Sequence, residues 1–129
     1  MVGRKKFRPD LSEKYDSKQE ANIARIFRLL GIKYQREHGR KIKFAEIAQE
    51  HNLRRTQDGH FIQWMVPDFY LPDTDTFIEI KPKGIDRNDR MRIAATLLKC
   101  GSVRLEVIMP KVYEILEKAF KTKIPEWES

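Results

Sequence analysis

The stretch from Val66 to Lys83, VPDFYLPDTDTFIEIKPK, leaves this chain the fewest structural options. Val66 to Leu71 and Thr76 to Lys81 are β-branched and aromatic runs, and Pro72-Asp73-Thr74-Asp75 between them is turn chemistry. The pattern predicts two antiparallel strands joined by a four-residue loop, with Leu71 opposite Thr76. Continued along the ladder, that register sets Asp68 opposite Glu79 and Val66 opposite Lys81. Opposed Cβ atoms lie about 4.5–5.5 Å apart. Two carboxylates and an ammonium therefore converge on one patch of sheet.

Like charges directly opposite each other destabilise a sheet, so the pair needs a reason. Ile78 and Ile80 point to the other face, which must be buried. The Glu79 face carries Phe77, Val66 and Tyr70 and is not plain solvated surface. Carboxylates in register there repel unless one is protonated or a cation lies between them. Mg²⁺, usually held by one or two carboxylates with water and substrate phosphate, resolves the conflict. Lys81 beside it can orient or help deprotonate a nucleophile, and together these groups are equipment for hydrolysing a phosphodiester.

Pro67-Asp68, a ten-residue gap and Glu79-Ile80-Lys81 resemble the signature of the PD-(D/E)xK nuclease superfamily, and the flanking Phe69-Tyr70-Leu71 and Pro82-Lys83-Gly84 are similar to its small endonucleases. The resemblance implies an α/β (α+β), restriction-endonuclease-like domain with a central mixed sheet flanked by helices. It implies hydrolysis of DNA dependent on Mg²⁺, with Mn²⁺ able to substitute. Asp68 and Glu79 would hold the metal, the Ile80 carbonyl would be a further ligand, and Glu20 would complete the site. Lys81 would position water or balance charge on phosphorus. In layout the chain looks like junction-resolving and transposon end-cleaving nucleases of phages, archaeal viruses and transposons. Recognition by DNA shape or through a partner protein is therefore expected over sequence reading. One active site per chain implies a homodimer wherever two strands are cut.

The rest of the chain sets the context. Its 129 residues make one domain. Lys and Arg number 26 against 19 Asp and Glu, a formal charge of +7 that favours a polyanionic partner. The lone Cys100 excludes an internal disulfide and fits a reducing, cytoplasmic setting. No apolar run approaches the roughly 20 residues needed to cross a bilayer. Residues 1–11 read as a flexible basic arm whose Arg4, Lys5 and Lys6 either grip phosphates or are merely solvated.

A helix is predicted from Ser17 to Leu30, closed by Gly31. Within it Glu20 has two readings: partner of Ser17 in an S-x-x-E capping box, or the metal-site acid that the resemblance assigns. Ile32 to Glu37 alternates as a first strand. Residues 39–60 read as an insertion containing a short helix from Phe44 to Leu53, followed by Arg54 and Arg55. His38, His51 and His60 show no metal-ligand spacing. After the hairpin, Lys83 leads into a helix from Arg87 to Cys100, with Arg87, Arg90 and Arg92 crowding its start as phosphate contacts or as a solvated basic face. Val103 to Met109 reads as an interior strand. Pro110 opens a last helix to Phe120 with Val112, Ile115, Leu116 and Ala119 facing the core. The tail, 122–129, docks on the body or on a second subunit. Two other functions fit: a non-catalytic nucleic-acid-binding module of the same fold, and a purely structural hairpin in which Lys81 and Glu79 pair as ions with Asp68.

Overall fold

The hairpin forms in the register that its turn residues imply. Strands β6 (Phe69–Leu71) and β7 (Thr76–Ile80) are antiparallel, with Phe69 opposite Ile78, Tyr70 opposite Phe77 and Leu71 opposite Thr76. The four-residue loop closes through Asp75, whose φ of 47° lies in the left-handed region that Asp tolerates better than most residues. The Tyr70 hydroxyl donates to Asp75 Oδ1 at 2.7 Å and ties the loop to the strand. The computed structural model describes residues 5–36, 42–43, 64–65, 67–90, 93 and 104–129. Val66, and with it the expected Val66–Lys81 pairing, lies outside them.

Around this hairpin is a mixed four-stranded sheet in an α+β fold, in the order β3-β6-β7-β8. The first strand, β3 (Gln35–Arg36), is antiparallel to β6, and β8 (Arg104–Ile108) is parallel to β7. The Lys81 N–H donates to the Ile108 carbonyl at 3.0 Å, carrying the parallel ladder one residue past β7. Among the described residues β8 is an edge strand. Its sequence suggested an interior one, but Arg104 and Glu106 are exposed, and only Leu105, Val107 and Ile108 are partly covered.

Helix α1 (Lys18–Leu29) starts at Ser17, whose Oγ accepts the Glu20 N–H at 3.1 Å, and ends before Gly31 at φ 69°. Its core stripe of Ile23, Ala24, Ile26 and Phe27 joins Phe69, Ile78 and Ile80 in one apolar cluster. Phe27 and Tyr34 both meet the Phe69 ring edge-on, at 5.2 and 5.6 Å between centroids. Such tilted contacts place the positive ring edge on a negative face. The helix thereby covers the Ile78–Ile80 face of the sheet, and alternation leaves Phe77 and Glu79 on the other.

The N-terminal segment departs from expectation. Residues 6–15 are not a flexible arm: β1 (Lys6–Arg8) and β2 (Glu13–Tyr15) form a hairpin, and Leu11 and Tyr15 are core residues. Arg8 and Arg25 are buried because Glu128 reaches both. Arg8 Nε and Nη2 donate to its two oxygens at 3.0 Å each, and Arg25 Nη1 donates at 2.8 Å. Asp10 takes two more bonds from Arg25, and Asn22 ties the Glu128 backbone on both sides. Ile124 enters the core and Trp127 stacks near Tyr113, so the tail docks on the body of its own chain.

The last helix, α2 (Pro110–Phe120), has the expected bounds but a rotated face. Tyr113, Leu116 and Phe120 pack on the core, while Val112 is 45% and Ile115 66% exposed and Ala119 also faces outward. Residues 87–90 and 93 are helical, in line with the expected helix from Arg87. At the two ends of the supposed insertion, β4 (Ile42–Lys43) and β5 (Trp64–Met65) pair antiparallel as a separate ribbon. The expected helix from Phe44 to Leu53 lies outside the described residues. No helix among the described residues is long and apolar enough to cross a membrane.

Candidate functional site

Asp68 sits one residue before β6, where the hairpin ladder ends. Continued by two pairs, the β6–β7 register would put Pro67 opposite Ile80, and proline has no N–H to offer a ladder. The consequence is visible in the hydrogen bonds. The Ile80 N–H turns to the Asp68 carboxylate, donating to Oδ2 at 2.7 Å. The Ile80 carbonyl, on the same side of the strand as its N–H, receives no ladder donor from Pro67. The Ile80 backbone and the Asp68 carboxylate thus meet at the end of the hairpin.

Glu79 completes a pair with Asp68. The two carboxyls are close enough to interact directly, and both residues are half-buried. Burial first, and the Glu79 carboxyl second, push Asp68 up to about 9, against the pull of the Ile80 N–H and the Lys81 charge.

Glu20 approaches from the first turn of α1, on the helix-covered side of the sheet. Its carboxylate does not close the capping box; Oε2 accepts from Arg36 Nη2 at 3.3 Å. Burial, then the nearby Asp68, raise Glu20 to about 7, while Arg36 and Lys5 oppose the shift. Glu20 is thus within electrical reach of the pair but committed to a guanidinium. Among the described residues no group of three or more His, Cys, Asp and Glu side chains gathers as a cation cage.

The Lys81 charge acts on Asp68, yet its ion partner is not one of the acids of the pair. Its Nζ lies 3.1 Å from Asp89 Oδ1. Asp89 is in turn held by the start of the following helix. The Asp89 N–H donates to Asp86 Oδ1 at 2.8 Å, and the Asp86 N–H donates back to Asp89 Oδ2 at 3.1 Å. This is a capping box built from two aspartates, and it aims one oxygen of Asp89 at Lys81. The D-x-x-D spacing before a helical run was the signal that could have found Asp89.

Of the basic residues expected to meet a polyanion, Lys5, Lys6, Lys83, Arg87 and Arg90 are exposed. Arg4, Arg54, Arg55 and Arg92 lie outside the described residues. Lys5 and Lys81 each act electrically on the acid cluster, which places two cations at its margin.

An all-oxygen donor set suits a hard dication, and two carboxylates with a backbone carbonyl are what Mg²⁺ commonly takes before water and phosphate fill its octahedron. By that measure Asp68, Glu79 and the Ile80 carbonyl fit Mg²⁺ or Mn²⁺, whereas Glu20 does not join them while it pairs with Arg36. No protein-family model matches the chain, and neither a curated protein nor a solved structure matches it.

Proposed function

We propose that the chain is a divalent-metal-dependent endonuclease of the PD-(D/E)xK type that hydrolyses DNA phosphodiesters. The observation that carries this reading is the Asp68–Glu79 pair at the end of the hairpin, with the Ile80 N–H on Asp68 and the Lys81 charge acting on it. Two half-buried acids facing each other weaken a fold unless something positive belongs between them. A Mg²⁺ or Mn²⁺ ion there would polarise a phosphodiester and make a bound water more acidic. Asp68 and Glu79 hold and orient; Lys81 presents N–H donors to a phosphate oxygen or to the attacking water. The exposed Lys83, Arg87 and Arg90 follow the site in sequence and supply backbone-directed, sequence-independent attraction.

With one such site per chain, cutting both strands requires a homodimer or a partner protein, and the small size favours recognition of DNA shape. One observation favours the alternative, a non-catalytic nucleic-acid-binding module: Lys81 is engaged by Asp89 rather than by the acids. A single experiment separates the two. Supercoiled plasmid incubated with the full chain should be nicked or linearised with Mg²⁺ or Mn²⁺ and left intact in chelator. Asp68→Asn and Glu79→Gln should bind DNA without cutting it. Plasmid retarded but uncut by the wild type under both metals would favour the non-catalytic module.

A further inference from the structure

We infer that Arg36 takes the place of a second metal ion: its anchored guanidinium keeps Glu20 out of the ligand set, so that Asp68 and Glu79 bind one divalent cation per chain. This rests on the proposed reading of those two acids as a cation site.

The anchoring is what distinguishes Arg36 from a surface ion pair. Its side chain is 10% exposed. Nη1 donates to the Lys14 carbonyl and lies 3.8 Å from Glu13 Oε2, while Nη2 holds Glu20. The guanidinium carbon sits 3.7 Å from the centre of the Tyr15 ring and 5.8 Å from that of Phe69. Contacts of this kind are stronger once water is excluded. The Arg36 backbone is paired to Phe69 in the sheet, which fixes the point from which the side chain reaches Glu20. Arginine also cannot release its charge by losing a proton.

Glu20 thus has a permanent, positioned cation as its counter-charge. A second dication sharing Asp68 and Glu20 would have to displace that guanidinium or bind beside it against Coulomb repulsion. Register points the same way: Glu20 belongs to the α1 side of the sheet and Glu79 to the other. Asp68, at the ladder's end, acts electrically on Glu20 and is itself acted on by Glu79.

The test is a count of bound Mn²⁺ on the metal-free full chain, by electron paramagnetic resonance and by calorimetry. The wild type should bind one Mn²⁺ per chain. Glu20→Gln should also bind one, with Kd weakened by no more than about 100-fold, the range for a partner outside the ligand set. Arg36→Gln, which releases Glu20, should gain a second, weaker ion. Two ions on the wild type, or a Glu20→Gln protein that binds none, would overturn the inference while leaving the nuclease reading in place. A folded Arg36→Gln protein that still binds one would remove Arg36 from its role. If that variant fails to fold, the wild-type and Glu20→Gln counts still decide. A wild type that binds no Mn²⁺ removes the nuclease reading and this inference together.

Discussion

Asp68→Asn separates the electrostatics of the site from its chemistry. Asparagine keeps an oxygen for the Ile80 N–H and nearly the same volume, but it cannot ionise. In the folded chain the Asp68 carboxyl sits at about 9 instead of the ordinary 3.8. An acid raised on folding holds its proton in the native state where the unfolded chain releases it. Its contribution is therefore full below its ordinary value and is lost progressively as pH rises toward the folded one. At about 1.4 kcal/mol per unit, the ceiling on that loss by about pH 7 is about 4 kcal/mol. The coupling of Asp68 to its neighbour and solvent access to a half-buried group lower the expected effect to about 1–3 kcal/mol.

Urea unfolding of both proteins in chelator, at about pH 5 and about pH 8, measures it directly. The variant should be the more stable protein at the higher pH, with the gap closing at the lower. Comparing the two proteins cancels the titrating groups that do not interact with Asp68. Added Mg²⁺ should narrow the gap from the wild-type side, since a ligand of the native state stabilises it. An Asp68→Asn protein less stable than wild type at both pH values would refute the claim that the two acids are in conflict.

Glu128→Ala should cost about 2–4 kcal/mol in the same assay, because it strips a shared carboxylate from two buried guanidinium groups; a loss below about 1 kcal/mol would show that the tail is not a clamp. The Arg8 bond, then that from Arg25, holds Glu128 below the usual carboxylate range, and the Arg25 bond does the same for Asp10. Their contribution is therefore present above that range and lost as pH falls through the lowered values, so Glu128→Gln should unfold with a shallower acid limb than wild type. Lys81→Ala should abolish cleavage with DNA affinity within about threefold of wild type, since one cation among many contributes little to non-specific binding; fluorescence anisotropy and gel assays together check both halves.

The part of the site that could be read in advance was its local part. Pro72 to Asp75 fixed a four-residue loop, a loop fixes register, and register alone brought Asp68 to Glu79. Ser17, Gly31 and Pro110 marked helix ends by equally local rules. What stayed hidden depended on partners far away in sequence. Arg8 looked like one more charge in a basic arm because Glu128, which buries it, lies at the other end of the chain. Arg36 lies two residues after Tyr34 and so on the same face of its alternating strand; what the strand alone does not show is that Tyr15 and Glu20 arrive there to receive the charge. In α2 the apolar residues allow two overlapping stripes, one through Val112 and Ile115 and one through Tyr113, Leu116 and Phe120. Periodicity alone does not choose between them; packing of Tyr113 on Trp127 and Asn22 does.

The most direct test is a crystal of the full chain grown with Mn²⁺ and measured at the manganese absorption edge. A single anomalous peak bridging Asp68 and Glu79, about 2.0–2.3 Å from an oxygen of each and from the Ile80 carbonyl, is the predicted result. Carboxyls that stay paired with no peak between them, at Mn²⁺ concentrations far above any physiological level, would contradict the account.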